Sequence, residues 1–215
     1  MKKEQAVLAL NGCLLGTEGE YLDLLGEEEA VFIAADGGVE LFETLGLCPD
    51  ILLGDFDSLS AEKLDYYIDK GVQIIRYPVK KDETDGELAI NFCQENGLHE
   101  VMIIGSQGGR IDQQIANIFL LEYASKLGLK ALIREPGLEI GIARKREIFK
   151  NCTGQKLSLI PLSDEVKGIS VTGCKYSLLD ESLFRWKTRG ISNTIVEETA
   201  ELTVGEGILL YVKTE

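Results

Sequence analysis

Ile51-Leu52-Leu53-Gly54-Asp55-Phe56-Asp57-Ser58 is an apolar run that breaks directly into two carboxylates, one residue apart. The same pattern stands upstream, where Val31-Phe32-Ile33-Ala34-Ala35 runs into Asp36-Gly37-Gly38. It returns downstream, where residues 72–77 are followed by Lys81-Asp82-Glu83-Thr84-Asp85. Short β-branched runs, apolar on both faces, read as strands covered by helices on each side. In an open parallel sheet the carboxyl ends of the strands share one edge, and ligands bind there. Carboxylates gathered at that edge repel one another unless a cation lies among them. The pattern therefore points to a divalent-metal site and to a phosphate-bearing substrate that the metal bridges.

Working outward, strand-like runs occur at 6–10, 31–35, 51–53, 72–77, 101–104 and 131–133. Helical patterns lie between them at 39–45, 61–70, 85–95 and 112–127. In the last of these, Ile115, Ile118, Phe119 and Tyr123 follow the spacing of an amphipathic helix. Gly46, Gly71, Gly97 and Gly128 stand where helix C-caps belong. From about Leu138 the character changes. Segments 157–161, 168–171, 191–197, 201–204 and 207–212 are short and turn-bounded, with no helix pattern between them, as in an antiparallel sandwich or barrel. The link falls near Arg134-Glu135-Pro136-Gly137. The expected fold class is α/β: a doubly wound, mostly parallel sheet with helices on both faces over residues 1–134, then an antiparallel β-sandwich domain over 135–215.

The 215 residues carry a formal net charge of −14, which argues against nonspecific nucleic-acid binding and against adsorption to anionic membranes. After Met1-Lys2-Lys3, the apolar run 6–10 is too short for a signal-peptide core, and no stretch approaches the roughly 20 apolar residues of a membrane span. The five cysteines are scattered and form no C-x-x-C pair, as expected of reduced thiols in a cytoplasm. His99 is the single histidine, in a polar link, so the composition argues against a zinc site.

Four groups of residues carry the chemistry. Asp55 and Asp57 flank Phe56; if the chain stays extended, both side chains point to one side and suit two oxygen ligands of one Mg²⁺. The alternative is a turn followed by a helix cap, with Ser58 or Ser60 starting a helix at Ala61. Asp82 and Asp85 share a face if their turn is helical, but Thr84-Asp85-Gly86-Glu87 also reads as a capping box. Lys80 and Lys81 beside them bring cations suited to phosphate oxygens. Gly105-Ser106-Gln107-Gly108-Gly109-Arg110-Ile111-Asp112-Gln113 joins a strand to a helix. Its glycines admit close backbone approach, and Arg110 offers a planar fork for phosphate. Asp112 could instead be the N-cap of its helix. The loop fits neither the P-loop nor the dinucleotide fingerprint. In the β-rich half, Gly190-Ile191-Ser192-Asn193-Thr194, with Tyr176 and Trp186 upstream, could cradle a flat polar ring or simply form hairpin and core.

Taken together and in this order, Ala35-Asp36-Gly37-Gly38, Pro49-Asp50 with Gly54-Asp55-Phe56-Asp57-Ser58, Lys81-Asp82-Glu83-Thr84-Asp85, Gly108-Gly109-Arg110-Ile111-Asp112 and Ile191-Ser192-Asn193 resemble the motifs of the thiamin pyrophosphokinase family. The resemblance implies an N-terminal α/β domain, a C-terminal β-sandwich and a homodimer with active sites between subunits. It implies that ATP and thiamin give AMP and thiamin diphosphate, with Mg²⁺. Asp55, Asp57 and Asp85 match the metal-binding carboxylates, with Asp82 beside them. Asp36, Gly37, Lys81, Gly108, Gly109, Arg110, Asp112 and Gln113 match the nucleotide side, and Tyr176, Ser192 and Asn193 the thiamin side. Trp186 departs from the pattern, standing where the family usually has glycine. The residues by themselves leave two alternatives: a pyrophosphokinase for another hydroxymethyl heterocycle such as a pterin, and a nucleotide- or metal-binding module without catalysis.

Overall fold

Each apolar run of the first unit becomes a strand of one parallel sheet. The computed structural model of the chain describes residues 4–26, 29–57 and 59–215, and it divides into a unit ending at Pro136 and a second from Gly137 to Glu215. In the first unit the strands are β1 (Gln5–Ala9), β2 (Val31–Ala35), β3 (Ile51–Gly54), β4 (Gln73–Arg76), β5 (Glu100–Ile104) and β6 (Lys130–Glu135). They lie in the order β6-β5-β1-β2-β3-β4, every pair parallel. Leu8, Ile33, Leu52, Leu53, Ile103 and Ile104 are fully buried, which is why these runs are apolar on both faces.

Between the strands lie α1 (Glu18–Leu25), α2 (Val39–Thr44), α3 (Ala61–Asp69), α4 (Asp85–Glu95) and α5 (Ile111–Lys126). The apolar periodicity does not reveal α1. Its signal is chemical: the Thr17 hydroxyl accepts from the Glu20 N–H at 3.3 Å, while the Glu20 carboxylate accepts from the Thr17 N–H at 2.8 Å, a complete capping box. Ser60 caps α3 through the Lys63 N–H; Ser58 lies outside the described residues.

Helix α5 turns a different face to the core from the one its spacing suggests. It buries Leu120, Leu121 and Ala124 and leaves Ile111 (69%), Ile115 (47%) and Phe119 (54%) exposed. The helix is apolar on more than one side, and periodicity cannot say which side meets the sheet.

The second unit is all antiparallel. Strands β7 (Leu138–Ala143), β9 (Lys156–Pro161), β12 (Asn193–Thr194) and β14 (Leu209–Thr214) pair in the order β12-β9-β14-β7. Strands β8 (Arg146–Lys150), β10 (Glu165–Thr172), β11 (Leu178–Phe184) and β13 (Thr199–Thr203) pair as β11-β10-β13-β8. Phe149 of β8 meets Tyr211 of β14 edge-on, ring centroids 5.1 Å apart, across the core between the two sheets. Of the segment 191–197, only Asn193–Thr194 is strand; Ser192 before it is left-handed at φ 61°, which ends the pleat.

All five cysteines are free. Burial pushes the Cys93 thiol up to about 12, and Cys152 and Cys174 are also buried, whereas Cys13 and Cys48 are exposed. A thiol-disulfide reagent at pH 8 is expected to titrate Cys13 and Cys48 at once and the other three only after denaturant is added. Immediate labelling of Cys93 in the native protein would contradict this packing.

Candidate active site

The strand order reverses at β1. The chain lays β2, β3 and β4 outward on one side of it, then returns to place β5 and β6 on the other. At such a switch point the loops leaving the carboxyl ends part and open a crevice. A cleft of about 540 Å³ lies there. It is lined by Leu10 and Asn11 after β1, Asp36 after β2, Thr84, Asp85 and Gly86 at the start of α4, Gly108, Gly109 and Arg110 after β5, and Gln113 and Asn117 on α5.

Asp36, Asp55 and Asp57 come together beside it. One carboxylate oxygen from each lies within 4.8 Å of the others. The route is not the extended one the spacing suggests. Phe56 between the two aspartates is left-handed (φ 60°) and buried, and the Asp57 N–H donates to Asp55 Oδ1 at 3.1 Å. Asp36 is left-handed too (φ 45°), in the 3-10 turn Asp36–Gly38. Of five described non-glycine residues with positive φ, three (Asp36, Phe56 and Ser192) fall at the candidate sites, where backbone strain concentrates when function demands it.

The donor set is purely carboxylate, hard oxygen with no His or Cys, as Mg²⁺ requires. Oxygens sharing an ion at about 2.1 Å lie no more than about 4.2 Å apart, a spacing that three oxygens within 4.8 Å of one another reach with little or no movement. The residues fit the ion.

Asp85 is held differently. Its Oδ1 accepts from Lys81 Nζ at 2.6 Å, and the same ammonium lies 3.9 Å from Asp55 Oδ2. Lys81 thus bridges Asp85 to the three carboxylates. Thr84 is the N-cap of α4, its hydroxyl accepting from the Glu87 N–H at 3.2 Å. Asp82 is exposed in the preceding turn and lines neither the cleft nor the carboxylate group. Gly37 is buried and packs against the Asn11 side chain.

On the other wall, Gly108 and Gly109 have φ of 87° and 65°, conformations open to glycine. Arg110 itself is the N-cap residue of α5. Asp112 is therefore in the first turn and not at the cap. Its carboxylate accepts from Arg110 Nη2 at 2.5 Å and Nε at 3.1 Å, and from the Gln113 N–H at 3.0 Å. The guanidinium holds the Asp112 carboxyl below the usual range. The pair is exposed, so water screens it and leaves Arg110 available to an incoming anion.

Three further features were not marked by the sequence. Asn11 and Asn117 line the cleft; for Asn11 the signal was an Asn-Gly break at the end of a strand. Glu135 is 2% exposed and accepts from Tyr21 and Ser106. Burial raises its carboxyl above the ordinary range, against the pull of those donors.

In the second unit, a cavity of about 390 Å³ is lined by Leu159, Tyr176, Leu183, Arg189, Ile191 and Asn193, among others. Asn193 holds the Tyr176 backbone from both sides: Oδ1 accepts from its N–H at 3.0 Å, and Nδ2 donates to its carbonyl at 2.7 Å. Ser192 does not line this cavity; its N–H donates to Ser158 Oγ at 3.0 Å. Trp186 is 68% exposed, with its ring tilted against Phe184.

Residues 22–133 match the family model described as thiamin pyrophosphokinase, catalytic domain, and residues 140–209 match thiamin pyrophosphokinase, vitamin B1 binding domain. Thiamine pyrophosphokinase of Bacillus subtilis (strain 168) is 28% identical over 197 residues, covering 89% of this chain and 92% of that protein. Thiamine pyrophosphokinase 1 of Oryza sativa subsp. japonica is 26% identical over 164 residues, covering 72% of this chain and 62% of the rice protein. The crystal structure of thiamine pyrophosphokinase from Bacillus subtilis shares the fold with a TM-score of 0.84, at 24% identity over 97% of both chains. That of thiamin pyrophosphokinase from Candida albicans gives 0.82 at 20% identity, over 99% of this chain and 90% of the other. With both family models matched in order and the fold shared, the chain belongs to the thiamin pyrophosphokinase family.

Proposed function

We propose that the chain transfers the pyrophosphoryl group of ATP to the hydroxyl of thiamin, giving thiamin diphosphate and AMP, with Mg²⁺ as the required cation. The observation that carries this reading is the convergence of Asp36, Asp55 and Asp57 with the glycine-rich Arg110 loop at the switch point of the sheet. A polyphosphate cannot approach three carboxylates unaided. Asp36, Asp55 and Asp57 would hold the ion, with Asp85 next to them through Lys81. When bound, Mg²⁺ neutralises polyphosphate charge and orients the reacting phosphorus.

The chain's own residues do the rest. The Gly108 and Gly109 backbone and the Arg110 fork face the phosphate oxygens, and Lys81 supplies a second cation. The thiamin hydroxyl oxygen forms a bond to the β-phosphorus as the bond from that phosphorus to the α,β-bridging oxygen breaks, and AMP leaves with that oxygen. Catalysis of this kind is mainly positioning and electrostatics.

In this reading residues 1–134 bind ATP and Mg²⁺, and residues 135–215 bind thiamin through Tyr176 and Asn193, with Ser192 outside the cavity shaping the turn that leads into Asn193. The family model named for vitamin B1 binding, over 140–209, supports the second assignment. The protein acts as a homodimer with active sites at the subunit interface; the exposed Ile111, Ile115 and Phe119 on α5 and the exposed Tyr176, Leu179 and Trp186 support a buried partner surface. Five free cysteines support a reducing, cytoplasmic setting.

Purified protein given ATP, Mg²⁺ and thiamin is expected to form AMP and thiamin diphosphate in equal amounts, and none after chelation. AMP without thiamin diphosphate would point to another acceptor, such as a hydroxymethyl pterin; no AMP with any acceptor would leave a binding module. Asn193→Ala removes both bonds that hold Tyr176. It is expected to raise the thiamin KM about tenfold, from about 1.4 kcal/mol of lost binding, with the ATP KM unchanged. An unaltered thiamin KM would remove Asn193 from the thiamin pocket.

A further inference from the structure

Ser106 and Glu135 are the buried polar side chains among the described residues, and they bond to each other. Glu135 ends β6, on the edge from which the cleft opens but outside its lining. Its Oε1 accepts from the Ser106 N–H at 2.9 Å and the Ser106 hydroxyl at 3.2 Å; its Oε2 accepts from the Tyr21 hydroxyl at 2.5 Å. Tyr21 is itself fully buried, and its oxygen accepts from the Leu15 N–H at 3.1 Å.

We propose that Glu135 is a positioning residue for the nucleotide, its buried carboxylate fixing the two cleft-lining loops, 10–16 and 105–110, against each other. The proposal rests on the reading of that cleft as the ATP site. The loop 105–110 contains Gly105, Gly108 and Gly109, all left-handed, and glycines alone have little preference for one backbone path. Its conformation must come from outside. Ser106 is where it is anchored: Glu135 takes its N–H and hydroxyl, and Asn117 Nδ2 donates to its carbonyl at 2.9 Å. The facing loop is tied in by the Cys13 N–H, which donates to the Gln107 carbonyl at 2.7 Å, and by Leu15 through Tyr21. A shift at Ser106 therefore moves Gly108 to Arg110, which face the cleft, and Asn11 with them.

The chemistry demands an acid here. Three donors converge on one buried group, and only an ionised carboxylate accepts at every lone pair and donates nothing. Glutamine would turn an N–H₂ toward donors that have no other partner. A residue needed only to fill space at the end of a strand would be apolar, since burying a charge is costly.

The test is Glu135→Gln, assayed with each substrate varied in turn. The ATP KM is expected to rise about tenfold or more, with the thiamin KM and the kcat at saturating ATP changed less than about threefold. A lowered melting temperature with both KM values unchanged would mean a structural role only and would overturn the proposal. Calorimetry with Mg·ATP in the absence of thiamin separates this idea from the reading beneath it. Binding to the unaltered chain but about tenfold weaker binding to Glu135→Gln supports the proposal; equal binding overturns it alone; no binding to either protein overturns both. If Glu135→Gln does not fold, Tyr21→Phe keeps the buried ring and removes one donor while leaving the Leu15 N–H unpaired. It must raise the ATP KM selectively, by about two- to fivefold, or the proposal fails.

Discussion

In Asp55→Asn, pyrophosphoryl transfer is expected to fall about 1,000-fold, corresponding to about 4 kcal/mol of lost transition-state stabilisation. Asp55 belongs to the three-carboxylate group, accepts the Asp57 N–H and stands 3.9 Å from Lys81. Asparagine keeps the acceptor for Asp57, so the left-handed turn at Phe56 survives while one charge is lost. The melting temperature should not fall, because removing a charge from three clustered carboxylates relieves repulsion. Raising Mg²⁺ should restore part of the activity. Turnover at even a tenth of the normal rate at limiting Mg²⁺ would take Asp55 out of the metal site. The companion variants Asp36→Asn and Asp85→Asn decide the composition of the ligand set. The geometry places Asp36 with Asp55 and Asp57, and ties Asp85 to Lys81. Asp36→Asn should therefore shift the Mg²⁺ requirement more strongly than Asp85→Asn, and the opposite order would assign the third ligand to Asp85.

Gly38→Ala is expected to damage stability and metal binding together, for the sake of a single methyl group. A Cβ at this position would lie 2.1 Å from the Ala9 carbonyl oxygen, backbone that cannot move without shifting β1. Overpacking against yielding side chains costs about 1–3 kcal/mol, and a clash with a central strand belongs at or above the top of that range. The 3-10 turn Asp36–Gly38 would have to lift from the sheet, carrying Asp36 away from Asp55 and Asp57. Both the urea midpoint and the Mg²⁺ affinity should drop together. Gly46→Ala is the control: a Cβ there meets nothing within 4 Å, so the cost is only that of its left-handed φ. Equal stability of Gly38→Ala and the parent would mean that the turn does not pack on β1 as described.

Much of this was legible along the chain. The strands are short, so their apolar character shows as uninterrupted runs, and residues 31–35 and 85–95 have the bounds their patterns suggest. The glycines at 46, 71, 97 and 128 are all left-handed, as helix stops should be. What stayed hidden has specific causes. Helix α1 is eight residues long, and its signal lay in the Thr17–Glu20 capping box. The buried face of α5 could not be chosen because apolar residues occur on more than one side of it. Glu135 reads in sequence as part of a Pro-Gly link, since a buried acid is recognisable only by the donors around it.

The sequence by itself determined the class of fold and the chemistry available: parallel strands ending in carboxylates, a glycine-rich loop with an arginine, and a β-rich second half. These are properties of local pattern, and local pattern is written residue by residue. Which carboxylates meet was decided only in three dimensions. Asp36 joins Asp55 and Asp57 because β2 and β3 are neighbours in the sheet, Gly38 lets the turn lie on β1, and Phe56 adopts a left-handed conformation. The gathering of Tyr21, Ser106 and Glu135 likewise depends on strand order, because Tyr21 follows β1, Ser106 follows β5 and Glu135 ends β6, and only the sheet brings those three strand ends side by side.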